Sequence, residues 1–352
     1  MFCSVSKRFR WSSSLRAIQQ QPFRYNFSEL SQTAEIQNMV NNNIDAFVFD
    51  CDGVLWTGNN AIPGAVDVIG KLRDAGKKIV FLSNSAVKTP SDLVAKARLM
   101  GFSINHEEVM TSGLAAAQLL KSLNLRYGAT VYVVGENGLC KTLEEHAGNA
   151  ISCLVRAEVL PGEEQQISAS SKKQFRTFDD FASFVGDDFE KSGVQAALDP
   201  KGNIEAVVVS RQNDFDYFTI ARASALLKYD KHIHFIATNI DEASPSISAS
   251  LLVPAAGTMV AAVETASGRT AISVGKPSKE LGDLVVKKYN LNPERTCMVG
   301  DRLNTDVEFG KICGMQTMLV LSGVAQMEDL HPLKTAEKPD YVLLSIADLF
   351  LK

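Results

Sequence analysis

From residue 44 to residue 111 the chain alternates short apolar runs with longer stretches whose apolar residues recur at helical spacing. "IDAFVFD" is almost continuously apolar, and "KKIVFLSN" repeats the pattern. Parallel strands covered on both faces have this composition. "GAVDVIGKLRDAG" and "TPSDLVAKARLMG" carry the three-to-four spacing of helices, the first ended by Gly76 and the second opened by Pro90. Parallel neighbours need crossovers, and crossover helices cover the sheet. The alternation predicts an α/β protein with a Rossmann-like, mostly parallel sheet.

The rhythm fails between about residues 156 and 200, where "PGEEQQISASSKKQ", "DDFEKSG" and "DPKGN" are polar. It resumes with "IEAVVVS", "YFTIARASALLKYD" and "HIHFIATN", so the polar stretch reads as an excursion within a unit. No run of 352 residues' worth of sequence reaches the roughly 18 apolar residues of a membrane span, and a net charge of -4 argues against a general nucleic-acid surface. The six cysteines form no CxxC pair and suit a reducing compartment. Residues 1–28 carry Lys7, Arg8, Arg10, Arg16 and Arg24, are rich in Ser, and hold no acidic residue. That is a transit-peptide composition, with the mitochondrion expected ahead of a plastid; a disordered basic tail on a cytoplasmic protein is the alternative.

Four polar stations follow apolar runs. They are Asp50-Cys51-Asp52-Gly53, then Ser83-Asn84-Ser85, then Gly275-Lys276-Pro277-Ser278 after "AISV", and Gly300-Asp301 with Asp306 after "RTCMV". The carboxyl ends of strands in open α/β sheets face a common ligand crevice. If these strands are neighbours, one site gathers four carboxylates, a hydroxyl, an amide and a lysine. Carboxylates suit Mg²⁺, and a carboxylate can attack phosphorus. Lys276, Ser83 and Asn84 supply the contacts that phosphoryl transfer requires. Each station alone has an ordinary reading as a turn or a helix start. Their joint occurrence does not.

The order DxDGVLW, SN, GKPS, GDRxxTD resembles the haloacid dehalogenase (HAD) superfamily, and within it the subgroup IIA phosphatases of phosphoglycolate, 4-nitrophenyl phosphate and pyridoxal phosphate. "VVGENGL", "IATNID" and "DYVLLSIADL" support the likeness, which covers residues 44 to 350. The resemblance implies that Asp50 is the nucleophile and, with Asp301 and the backbone carbonyl of Asp52, a Mg²⁺ ligand. It implies that Asp52 is the general acid and base, kept protonated by crowding carboxylates. Ser83, Asn84 and Ser85 would hold the phosphoryl group, Lys276 would neutralise it, and Gly53 and Asp306 would support the site. It also implies a catalytic core of residues 40–111 and 248–352, an inserted C2-type α/β cap of residues 112–247, and a homodimer formed through the cap.

Relatives often read TNNS at the second station, where this chain has Ser83-Asn84-Ser85-Ala86, and VVVGFD where it has "VVVSRQND". Arg211 is thus either a substrate contact or a solvated loop residue. The cap loop "TNIDEASPS" offers Asp241, Glu242 and Ser244 but no aromatic residue, which favours a small substrate such as 2-phosphoglycolate. The rivals are a pyridoxal phosphate, sugar or phosphoprotein phosphatase and, in another class, a catalytically silent phosphate-binding scaffold. Neither nucleic acid nor membrane is an expected partner.

Overall fold

The computed structural model describes residues 33–154, 203–245 and 251–350. The basic stretch 1–28 and the polar excursion 160–200 lie outside the described residues. The first sheet contains β1 (Ala46–Phe49), β4 (Lys78–Ser83), β5 (Val109–Thr111), β13 (Thr296–Gly300), β14 (Gln316–Val320) and β15 (Tyr341–Leu343). Their order is β15-β14-β13-β1-β4-β5, and every neighbouring pair is parallel. The second sheet has the order β12-β9-β8-β6-β7, again all parallel, from β6 (Thr130–Val134), β7 (Ser152–Leu154), β8 (Ile204–Val209), β9 (His234–Ala237) and β12 (Ile272–Ser273). Two hairpins complete the strands: β2 (Trp56–Thr57) with β3 (Asn60–Ala61), and β10 (Ala243–Pro245) with β11 (Leu252–Pro254).

The described helices are α1 (Thr33–Asn38), α2 (Ala65–Asp74), α3 (Pro90–Leu99), α4 (Ser112–Ser122), α5 (Asn137–His146), α6 (Tyr217–Tyr229), α7 (Ala256–Ser267), α8 (Lys279–Tyr289) and α9 (Glu308–Ile312). Both faces of β1 are covered, as its unbroken apolar run requires. Phe47, Phe49 and Cys51 enter one apolar layer with Leu72 and Phe81, while Ala46 and Val48 enter the opposite one with Leu82, Leu114 and Met298. Burying each such phenylalanine contributes about 1.5–3 kcal/mol. α3 starts where the sequence says it should. Pro90 fills its first position, and Thr89 and Asp92 cap each other's backbone N–H.

The third station has a different setting from the one expected. Of "AISV", only Ile272 and Ser273 form a strand, and β12 pairs with β9 rather than with the first sheet. α7 follows the same allegiance: Met259, Val260 and Val263 are buried with Val207, Val209 and Leu226 of the second sheet's layer. The apolar face of α7 finds its cover there. We propose that the inserted cap extends to β12 rather than ending at residue 247.

Candidate active site

β1 sits between β13 and β4, with Phe49 level with both Val299 and Phe81. From β1 the chain continues to β4 and β5 on one side, and β13 to β15 fill the other, so β1 marks the point where strand order reverses. Ligand crevices open at such points. The register brings Asp50, the end of β4 at Ser83 and the end of β13 at Gly300-Asp301 side by side.

Lys276 reaches this crevice from the second sheet's side and is 2% exposed. Its Nζ donates to Asp50 Oδ1 at 2.5 Å, Asp306 Oδ1 at 2.7 Å and the Leu82 carbonyl at 3.3 Å. All three ammonium protons therefore have acceptors. Burial works against this charge, but the Asp306 and Asp50 carboxylates outweigh it and raise the lysine's pKa. Asp50 is also raised, well above the carboxylate range. Burial is the main cause, Lys276 opposes it, and Asp306 and Asp301 add to it. Asp301 is pushed up to about 6, again chiefly by burial and then by Asp306. Val324 N–H donates to its Oδ2 at 2.8 Å.

Asp306 is fixed from two sides. Its Oδ1 takes Lys276, and its Oδ2 accepts the backbone N–H groups of Asp301 (3.2 Å) and Arg302 (3.1 Å). Gly300 makes room for it, since a Cβ there would stand 2.0 Å from the Asp306 Cβ. Gly53 has φ +87 and passes so close to Asp301 that a Cβ would lie 2.3 Å from its Oδ2.

One oxygen each of Asp50, Asp301 and Asp306 lie within 4.8 Å of one another. Three clustered carboxyl groups face a single lysine, so their full ionisation would leave a surplus of negative charge. An all-oxygen donor set with that surplus fits a hard divalent cation such as Mg²⁺.

Two expectations about the site change. Asp52 was expected among crowding carboxylates, yet its side chain is 64% exposed and lies outside the acid cluster. Its Oδ1 instead accepts from Trp56 Nε1 at 2.9 Å and Lys96 Nζ at 3.4 Å. The chain turns sharply after Cys51, with Leu55 and Trp56 N–H both donating to the Cys51 carbonyl, and this carries Asp52 to the rim. Asn84 was expected on the phosphoryl group, but its amide joins the two sheets. Its Oδ1 accepts the Lys276 N–H at 2.8 Å, and its Nδ2 donates to the Lys276 carbonyl and to Asp241 at 3.1 Å. Asn239, which sequence reasoning passed over, donates to the Asn84 carbonyl at 2.8 Å. Arg211 donates to Asn213 on its own loop and, among the described residues, does not touch the acid cluster.

The remaining expected residues lie nearby. Ser83 is buried, and its Oγ accepts the N–H of exposed Ser85 at 3.1 Å. Asp241 is half-buried and raised in pKa by that burial, with Arg302 and Lys276 opposing. Glu242 is exposed, and Ser244 Oγ is buried without a partner among the described residues. Lys96 and Arg302 were missed. No spacing in the sequence marks Lys96, because only the packing of α3 brings it to Asp52.

A family model described as haloacid dehalogenase-like hydrolase matches residues 47–148, and a second, HAD-hydrolase-like model matches residues 273–349. Phosphoglycolate phosphatase 1A, chloroplastic, of Arabidopsis thaliana is 30% identical over 340 residues, covering 95% of this chain and 86% of that protein. The chain belongs to the haloacid dehalogenase-like hydrolases. Glycerol-3-phosphate phosphatase of Gallus gallus is 34% identical over 319 residues, covering 87% of this chain and 91% of that protein. Among solved structures of this family, a 4-nitrophenylphosphatase from Thermotoga maritima superposes with a TM-score of 0.66 at 27% identity, covering 88% of this chain and 97% of that one. β7, β8 and β9 of the second sheet lie between the two family-model matches, while β6 falls within the first.

Proposed function

We propose that this chain hydrolyses small phosphate monoesters in a Mg²⁺-dependent reaction that passes through a phosphorylated Asp50. The observation that carries the reading is Lys276, buried and hydrogen-bonded between Asp50 and Asp306 with Asp301 beside them. The carboxylates of Asp50 and Asp301 and the backbone carbonyl of Asp52 would hold Mg²⁺, supported by Asp306. Bound there, the ion neutralises charge on the phosphoryl oxygens. Asp50 attacks phosphorus in line, and Lys276 and the Ser83 hydroxyl steady the transferred group. Asp52 gives its proton to the departing alkoxide and then takes one from the water that cleaves the acyl phosphate.

For the substrate we favour 2-phosphoglycolate. The reading is supported by the Arabidopsis relative's name and by a cap loop without aromatic side chains over the crevice. Glycerol 3-phosphate is the second reading, favoured by the name of the Gallus gallus relative. Phosphate release from a panel of these two esters, pyridoxal phosphate, a phosphopeptide and 4-nitrophenyl phosphate, with an EDTA control, tests both. Metal-dependent release with the highest kcat/KM on phosphoglycolate is expected. Silence on every ester would favour the scaffold reading. We further propose that residues 1–28 direct an organellar location, supported by their basic, acid-free composition and by the chloroplastic relative. Imaging of those residues fused to a fluorescent protein checks this. A homodimer through the cap remains part of the reading, and sedimentation of the purified chain tests it.

A further inference from the structure

We propose that Lys96 and Trp56 are positioning residues that fix the Asp52 carboxyl for proton transfer to the leaving group. The proposal rests on the general-acid role given to Asp52 above. A side chain that is 64% exposed at a crevice rim has freedom to rotate, and a general acid needs one orientation. Two donors converge on one of its oxygens. Trp56 Nε1 lies 2.9 Å from Asp52 Oδ1, and Lys96 Nζ lies 3.4 Å from the same atom. Among the described residues nothing bonds to Oδ2, which leaves that oxygen to face substrate.

Both donors are themselves held. Trp56 is fully buried, packs edge-on against Phe102 with ring centroids 5.7 Å apart, and offers its carbonyl to Gly53 N–H at 2.8 Å. The turn that carries Asp52 therefore carries the indole that clamps it. A buried indole N–H needs an acceptor, and Asp52 provides it. Lys96 sits on α3, whose Leu93, Val94 and Ala97 are buried and whose first turn is capped by Thr89. Its ammonium lies over the Trp56 ring, 4.9 Å from the centroid, while reaching Asp52. An exposed ion pair of this kind adds little stability, so its use is geometric.

In the transfer step, an Asp50 oxygen forms a bond to phosphorus as the ester P–O bond breaks. The electron pair stays on the ester oxygen, which takes the proton from Asp52 Oδ2. Orientation of Asp52 then matters in proportion to how badly the leaving group needs that proton. An alkoxide needs it, whereas 4-nitrophenolate leaves nearly unaided.

The test compares kcat/KM on an alkyl phosphate with kcat/KM on 4-nitrophenyl phosphate, in the full chain with Mg²⁺. Lys96→Met keeps the aliphatic stem, and Trp56→Phe keeps most of the ring packing. Each should lower the alkyl-to-aryl ratio about tenfold, a fraction of the roughly 10²–10⁴-fold that general acid catalysis supplies. Lys96→Arg should restore most of the ratio. An unchanged ratio in Lys96→Met, with or without equal losses on both esters, overturns the proposal, and this surface variant decides the matter if Trp56→Phe does not fold. Asp52→Asn separates the two layers of inference. A ratio that drops in Asp52→Asn but not in the Lys96 and Trp56 variants sinks the positioning role alone. A ratio that holds in Asp52→Asn sinks the general-acid role beneath it.

Discussion

Asp50 and Asp52 are two residues apart in sequence, and their side chains are 13% and 64% exposed. Asp50 belongs to a buried crevice where every charge has a fixed neighbour. Asp52 belongs to an open rim where one indole and one lysine hold it. At short range, charge pairs interact several times more strongly in the crevice than at the rim, because water screens the rim. The contrast separates the two jobs a phosphatase asks of its acids. A nucleophile must be held immobile against phosphorus, while a proton carrier must exchange with solvent and turn toward two different partners.

The largest effects should come from the buried side. Asp50→Asn removes the attacking carboxylate and should cut turnover of 4-nitrophenyl phosphate by at least about a thousandfold. A variant that kept near wild-type rate would end the covalent mechanism. Lys276→Met leaves Asp50 and Asp306 facing each other without a cation. Removing one partner of a buried charge pair costs about 3–5 kcal/mol, and urea unfolding of the metal-free chain should register a loss of that size. A loss below about 1 kcal/mol, typical of exposed pairs, would erase the difference between the two regions.

The second way to sharpen the contrast is pH. Asp301 is raised from 3.8 to about 6, so between those values the folded chain holds a proton that the unfolded chain has released. Stability from this group is therefore present below the lower value and lost as pH rises through about 6. A divalent cation relieves the repulsion only where the carboxylates are ionised. Mg²⁺ should raise Tm by several degrees more at about pH 7.5 than at about pH 5. An equal rise at both values would place the bound cation away from this cluster.

The buried side was also the legible side. Three of its four stations end apolar runs that can only be strands, and parallel strands bring their ends to one edge. The fourth, Lys276, was legible as a residue but not as a setting. "AISV" reads as a core strand, yet only two of its residues pair, and they pair with β9. Local pattern carries no information on which sheet a two-residue strand joins. The rim was harder still. Lys96 meets Asp52 across 44 residues, and Asn84 meets Asp241 across 157, through side chains that look like ordinary surface polar groups. Asn84 and Asp241 were legible as candidate residues, but their pairing, like that of Lys96 with Asp52, depends on tertiary packing, which no periodicity encodes.

Asp241, in the cap loop where Asn84 meets it, gives the smallest effect and the most discriminating sign. It is half-buried beside Asn84, and burial raises its pKa while Arg302 and Lys276 oppose the shift. A carboxylate so near the proposed phosphate contacts repels a dianionic ester. Asp241→Asn keeps an oxygen for the Asn84 amide to bond and removes the charge. The variant should lower KM for a small phosphoester about two- to fivefold at pH 7.5, with kcat changed less. The gap between variant and wild type should narrow as pH falls, because the raised pKa lets wild-type Asp241 take up a proton sooner than an ordinary carboxylate does. A KM that rises instead would mean that Asp241 binds a hydroxyl or cationic group of the substrate. The cap loop would then act by attraction, and the repulsive part assigned to it would be wrong.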